Sequence, residues 1–199
     1  MKRQIPTLLI IFRFICGIVI FATCHLHAKF ASIICVTLLA LGVLSDIFDG
    51  VIARKYNIAT DRLRVWDSRV DVVFWLMTAI GLFILYPSIL NTAWIMLAVL
   101  GGMELVTRAI SRIRFKREAS PHHLLSKIFT LFLWAMISSI FINGKIDTLF
   151  WVTLFIGIIS QLEAMAIMLI IPEWKCDIKN IFVALQLKEA RKQMSKVNI

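Results

Sequence analysis

SDIFDGVIARKYNIATDRLRVWDSRVD, residues 45–71, holds five of the chain's 12 acidic residues: Asp46, Asp49, Asp61, Asp67 and Asp71. The 199-residue chain around it is 60% hydrophobic and carries a formal net charge of +10. A cluster of carboxylates in such a background has to answer to something cationic.

Helical spacing says which carboxylates come together. At ~100° per residue, Asp49 lies about 60° from Asp46, Gly50 about 40° and Ala53 about 20°. One helix face therefore carries two acids beside two residues too small to fill the space. Asp67 and Asp71, four apart, stack on one face of a second helix. Residues 54–63 are polar enough to form the turn between the two. Two antiparallel helices then aim four carboxylates at one point, where they repel one another. A hard divalent cation relieves that repulsion, since Mg²⁺ takes carboxylate oxygens and leaves positions for water and phosphate. Two such ions suit a phosphoryl group with two exchanging oxygens. A solvated acidic turn between membrane spans is the plainer reading of the same residues.

The pattern Asp46-x2-Asp49-Gly50-x2-Ala53-Arg54-x8-Leu63-x3-Asp67-x3-Asp71 resembles the signature of the CDP-alcohol phosphatidyltransferases. The four aspartates, Gly50, Ala53 and Arg54 match in type and spacing. Leu63 departs from it, standing where the family usually has glycine. The resemblance runs from about residue 6 to residue 190.

Composition points the same way. A mean hydropathy of +0.86 and long apolar runs put the chain in a bilayer. The four cysteines show no metal-ligand spacing and read as packing thiols without a disulfide framework. The positive charge does not imply nucleic acid, because the aromatic residues lie in apolar runs and not among the basic ones. Attraction to anionic headgroups and phosphorylated substrates fits it better.

A span needs ~20 apolar residues. Six are expected, at 6–23, 30–53, 65–86, 89–108, 124–142 and 148–171. The fold class expected is an all-α integral membrane protein: a six-transmembrane-helix bundle with both termini cytoplasmic, one domain over 1–199. Residues 172–199 form its tail, and an amphipathic stretch at 177–192 would lie on the inner leaflet or be solvated. The first span is too long for a signal peptide and lacks a cleavage site. Orientation follows from charge. One side collects Lys2, Arg3, Arg54, Lys55, Arg62, Arg64, the basic run Arg112–Arg117 and the tail. The other side shows two of the 22 basic residues, Lys29 and Lys145. The positive-inside rule makes the first side cytoplasmic and puts the aspartates there.

Other polar residues carry open readings. Arg13, far inside the first span, either snorkels to headgroups or faces the carboxylates or a substrate phosphate. Glu104 and Arg108 form an i,i+4 pair, read first as structural. Glu163 sits deep in the sixth span and needs a partner that the sequence does not name. The pair His25/His27 falls in the outer loop, away from the aspartates, and His122/His123 lacks a matched carboxylate, so both are weak metal candidates. Gly101, Gly102, Gly157 and Ser160 read as close-packing positions.

The resemblance implies a reaction. A CDP-alcohol, most often CDP-diacylglycerol, gives its phosphatidyl group to a small alcohol, and CMP leaves. It implies that Asp46, Asp49, Asp67 and Asp71 hold Mg²⁺ or Mn²⁺, two ions, and that Asp71 is the base on the acceptor hydroxyl. Gly50 and Ala53 would leave room for the nucleotide, and Arg54 would meet a phosphate or a carboxylate. Ser126-Lys127-Ile128-Phe129-Thr130 is similar to a [Ser/Gly]-Lys-x-x-Thr motif of the family, so Lys127 is a phosphate-binding candidate beside a plain interfacial anchor. The acceptor favoured is glycerol 3-phosphate; phosphatidylglycerol and inositol phosphate stay open. Members often form homodimers. The setting expected is a plasma membrane, the inner membrane of a bacterium, with the protein crossing it several times. Leu63 leaves room for a catalytically impaired member that binds nucleotide or lipid. The intramembrane charges leave room for a transporter, although no inverted repeat is visible.

Overall fold

The computed structural model describes residues 5–56, 60–117, 123–175 and 178–197. Its elements are α1 (Ile5–His25), α2 (Ala31–Lys55), α3 (Asp61–Leu85), a 3-10 turn at Pro87–Ile89, α4 (Leu90–Phe115), α5 (Leu124–Asn143), α6 (Thr148–Ile170) and α7 (Ile181–Val197). No strand occurs among the described residues. Helices α1 to α6 are each long and apolar enough to cross a bilayer. The expected all-helical, six-span class is what the structure has.

Two boundaries differ from the sequence reading. The turn expected over 54–63 is shorter, because α2 runs on to Lys55 and α3 starts at Asp61. Thr60 explains the early start: its hydroxyl accepts the Leu63 backbone N–H at 3.2 Å, capping α3. The fourth span continues past residue 108 to Phe115, so most of the basic run Arg112–Arg117 is helix and not loop. Cations are at home there, since a helix C-terminus carries the negative end of the dipole.

The chain divides into two compact units, one of Met1–Ala93 with Leu131–Phe150, the other of Trp94–Thr130 with Trp151–Ile199. In the first, α1 packs along both α2 and α3. Lipid gives apolar side chains no reason to leave it, so helices associate where small residues allow close approach. Here the meeting point is Phe74 of α3, 1% exposed. A Cβ added at Gly42 of α2 would lie 2.5 Å from its ring, and one at Gly17 of α1 would lie 3.3 Å from its Cα. Ile11, Phe12, Ile15, Ile18 and Val19 of α1 stay exposed, as a lipid-facing surface should. Asp147 caps α6, accepting the Leu149 N–H at 2.9 Å and the Ser139 hydroxyl at 2.8 Å.

In the second unit, Ile167, Met168 and Ile171 form an apolar cluster with Ile178 and Ala184, and Ile110 and Phe115 pack against it. The tail helix α7 is thus docked through Ala184, while Phe182 and Leu185 remain exposed. Gly157 packs closely, since a Cβ there would meet Phe129 at 2.7 Å and Leu100 at 2.8 Å. Gly101 and Gly102 do not: a Cβ at either has nothing within 4 Å among the described residues. A doubled glycine looks like a packing motif locally, but its helix face decides whether anything meets it.

The contrast can be measured. Gly42→Val should cost about 1–3 kcal/mol by forcing Phe74 from between the helices. Gly101→Val should stay within about 0.5 kcal/mol of wild type. Thermal unfolding of the two variants in detergent, against wild type, checks both.

Candidate functional site

Asp46 and Asp49 lie in the last turns of α2, and Asp67 and Asp71 lie beyond the Thr60 cap on α3. All four point at one side chain on α1. Nη1 of Arg13 is 3.2 Å from Asp46 Oδ1 and 3.0 Å from Asp67 Oδ1, and it also donates to Asp71 Oδ1. Nη2 donates to Asp49 Oδ2, and Nε faces the Ser45 hydroxyl at 3.5 Å. Ser45 is itself held, donating to the Gly42 carbonyl at 2.7 Å. Of the two readings open for Arg13, the structure has the counter-charge: the side chain is 1% exposed and does not snorkel.

Burial is graded across the cluster. The side chains of Asp49 and Asp67 are 4% and 5% exposed, those of Asp46 and Asp71 34% and 27%. The inner pair closes on Arg13 while the outer pair opens outward. Four carboxylates against one guanidinium leave a formal charge of −3. Arg64, counted with the basic side in the sequence, is buried on α3.

The donor set fits a hard divalent cation. One oxygen each from Asp46, Asp49 and Asp67 lies within 4.8 Å of the other two. Magnesium–oxygen bonds are about 2.0–2.1 Å, so oxygens on opposite sides of an ion stand about 4.1 Å apart. Small side-chain rotations cover the difference. No histidine joins this group among the described residues. His123 is buried instead against Ser160, its Nε2 3.1 Å from the carbonyl and 3.2 Å from the hydroxyl. His122 lies outside the described residues.

Gly50 is buried on the face of α2 that carries the acids, and Leu63 is half-buried in the first turn of α3. The side chains of Ala53 and Arg54 lie outside the described residues. Lys127 is exposed on α5, in the second unit. Its neighbours in the motif are engaged locally, with Ser126 Oγ donating to the His123 carbonyl at 2.7 Å and Thr130 Oγ1 to the Ser126 carbonyl at 2.9 Å. Arg114 is committed elsewhere than to a phosphate. It donates to the Met168 and Ile171 carbonyls at 2.5 and 3.3 Å, closing the C-terminus of α6. Arg117 lies over the Trp174 ring at 4.9 Å.

Glu104 and Arg108 pair at 2.7 Å, and Gln161 donates to the second Glu104 oxygen at 3.2 Å. Glu163 has a partner that no local pattern announced. Its Oε1 accepts the Ile181 backbone N–H at 3.2 Å, and its Oε2 is 3.7 Å from His123 Nε2. Asn180 accepts the Val183 N–H at 3.0 Å. The two side chains together satisfy orphan donors at the start of α7, so the carboxylate in the sixth span holds the tail helix down.

Compared with known proteins, residues 3–172 match the family model described as CDP-alcohol phosphatidyltransferase. No curated protein and no solved structure matches the chain significantly. The match covers most of the chain and stops before α7, short of the residue 190 expected from the sequence. The chain belongs to the CDP-alcohol phosphatidyltransferase family, membrane phosphotransferases that use CDP-alcohols and depend on divalent metal.

Loss of the α7 anchor is testable. Glu163→Ala removes a capping acceptor worth about 0.5–2 kcal/mol, so the opened fraction of the tail should rise roughly 2- to 30-fold. Limited proteolysis should then cut beyond residue 178 faster than in wild type, with cutting in the first unit unchanged.

Proposed function

We propose that this family member moves a phosphatidyl group from CDP-diacylglycerol to a small alcohol, glycerol 3-phosphate being favoured, and releases CMP. What carries the reading is the convergence of four carboxylates on one point between helices that are long enough to span a bilayer. A donor lipid at such a site keeps its acyl chains in hydrocarbon while its diphosphate meets polar groups.

In this reading Asp46, Asp49 and Asp67 hold the divalent ions, Mg²⁺ or Mn²⁺, with Asp71 reaching the second of two. Bound there, the ions neutralise the diphosphate and stabilise the oxygens that gain charge. Asp71 takes the proton of the acceptor hydroxyl. The hydroxyl oxygen forms a bond to the β-phosphorus, the bond from that phosphorus to the bridging oxygen breaks, and CMP carries the electron pair away. Asp71, like Asp46, opens outward where Asp49 and Asp67 are closed, which suits a role that must touch substrate, and the family pattern selects its last aspartate. Gly50 and Ala53 leave space for the nucleotide, and Arg54 meets a phosphate oxygen; Lys127, in the second unit, is a phosphate-binding candidate by its own motif alone. The asymmetry of basic residues supports a site on the cytoplasmic side of a plasma membrane, with both termini on that side.

Leu63 favours one other reading, a member that binds the nucleotide and does not turn over. A leucine half-buried at the start of α3 crowds a place where glycine lets backbone approach a ligand.

Purified full-length protein with radiolabelled CDP-diacylglycerol, Mg²⁺ and a panel of alcohols separates the two. CMP release with glycerol 3-phosphate, lost with EDTA, is the expected result. Asp71→Asn should lower turnover by a factor of about 10²–10⁴, the usual worth of a general base, with the thermal unfolding curve retained. Metal-dependent CDP binding without CMP release on any acceptor would favour the silent binder.

A further inference from the structure

The carboxylate cluster has room for Arg13 or for a divalent ion, but not for both in the same place. Nη1 stands among three oxygens, Asp46 Oδ1, Asp67 Oδ1 and Asp71 Oδ1. The three carboxylates whose oxygens gather closely enough for one ion, Asp46, Asp49 and Asp67, are each already in contact with the guanidinium, so an ion at about 2.0–2.1 Å from them has to displace it. Charge gives the same answer. Before substrate binds, two divalent ions match four carboxylates, and a fifth positive charge at the same focus has no carboxylate to answer it. At 1% exposure, water cannot screen the surplus.

Resting on the metal-dependent reading above, we infer that Arg13 is an exchangeable counter-ion. Its guanidinium and the divalent cation compete for one set of oxygens, and Arg13 sets how tightly the cation is held. Arg13 is then a positioning residue for the site: it acts through the aspartates by deciding when their oxygens are available. The contacts suit exchange. Most of them run through one nitrogen, so a single rotation of the arginine side chain releases three carboxylates together. Arginine is also fit to hold the place, because its planar fork serves several carboxylates at once and its charge survives burial.

The test reads metal affinity, not turnover. Mn²⁺ is titrated into the full-length protein in detergent and the signal of free Mn²⁺ is followed by electron paramagnetic resonance. Wild type, Arg13→Gln and Arg13→Lys are compared, and thermal unfolding in EDTA and in Mn²⁺ reports folding. In Arg13→Gln the Mn²⁺ dissociation constant should fall by about tenfold or more, within the range of ordinary coupling between competing ligands. Mn²⁺ should also raise the unfolding temperature of this variant more than that of wild type, since the ion replaces the missing counter-charge. Arg13→Lys keeps a charge with fewer contacts and should show a smaller gain in affinity; it carries the comparison if Arg13→Gln does not fold. Unchanged or weaker Mn²⁺ binding in the folded variants, with wild type binding saturably, overturns the competition and leaves the metal site standing. Absence of saturable Mn²⁺ binding in all three proteins overturns the competition and the metal reading together.

Discussion

A buried guanidinium with four carboxylates around it is the constraint that orders the first unit. A charge taken out of water is costly unless it is paired and hydrogen-bonded, and breaking such a network from one side costs about 3–5 kcal/mol. Arg13 lies on α1, which packs along α2 and α3, so it ties the helix that carries no acid to the two that carry all four. The close contacts at Gly17, Gly42 and Phe74 belong to the same design. They bring the backbones near enough for one side chain to reach across. Packing and electrostatics here are one arrangement, since a bulkier residue at the glycines would pull the ion pairs apart.

Much of this was legible in residues 45–71. Helical spacing puts Asp46 with Asp49 and Asp67 with Asp71, and the family pattern joins the two pairs. Thr60 was legible too, as a capping residue before Asp61, yet the polarity of its neighbours hides it inside an apparent loop. Arg13 was not legible. Periodicity gives a residue's angle on its own helix but not the neighbour that angle meets, so snorkelling and burial look alike. Gly42 and Gly17 were missed for the same reason, and the adjacent Gly101 and Gly102 drew attention they did not merit. Glu163 shows the limit most clearly: its partner is a backbone N–H 18 residues on, and backbone donors have no signature in a sequence.

The second unit solves a different problem with similar means. Its polar side chains largely close helix ends. Arg114 serves the carbonyls at the end of α6, Glu163 serves the Ile181 N–H at the start of α7, and Ser111 donates to the Arg117 carbonyl at 2.9 Å, where the chain leaves α4. In hydrocarbon an orphan backbone group has no water to turn to, so side-chain caps matter more near a span than they do in a soluble protein. That accounts for several charged residues without any appeal to substrate, and it narrows the basic groups left for phosphates.

Arg13 also bears on how the chain enters the membrane during synthesis. A lone arginine at the centre of a span raises the cost of insertion by about 2.5–3.5 kcal/mol, and an aspartate by a similar amount. Of the two helices, α1 is made before α2 and carries the positive charge, and α2 carries Asp46 and Asp49 on the face that will meet it. Entering as a hairpin, the two helices partition with their charges matched; entering singly, each bears its own penalty. The same ion pairs that hold the finished site therefore favour insertion of α1 and α2 together over insertion of either alone.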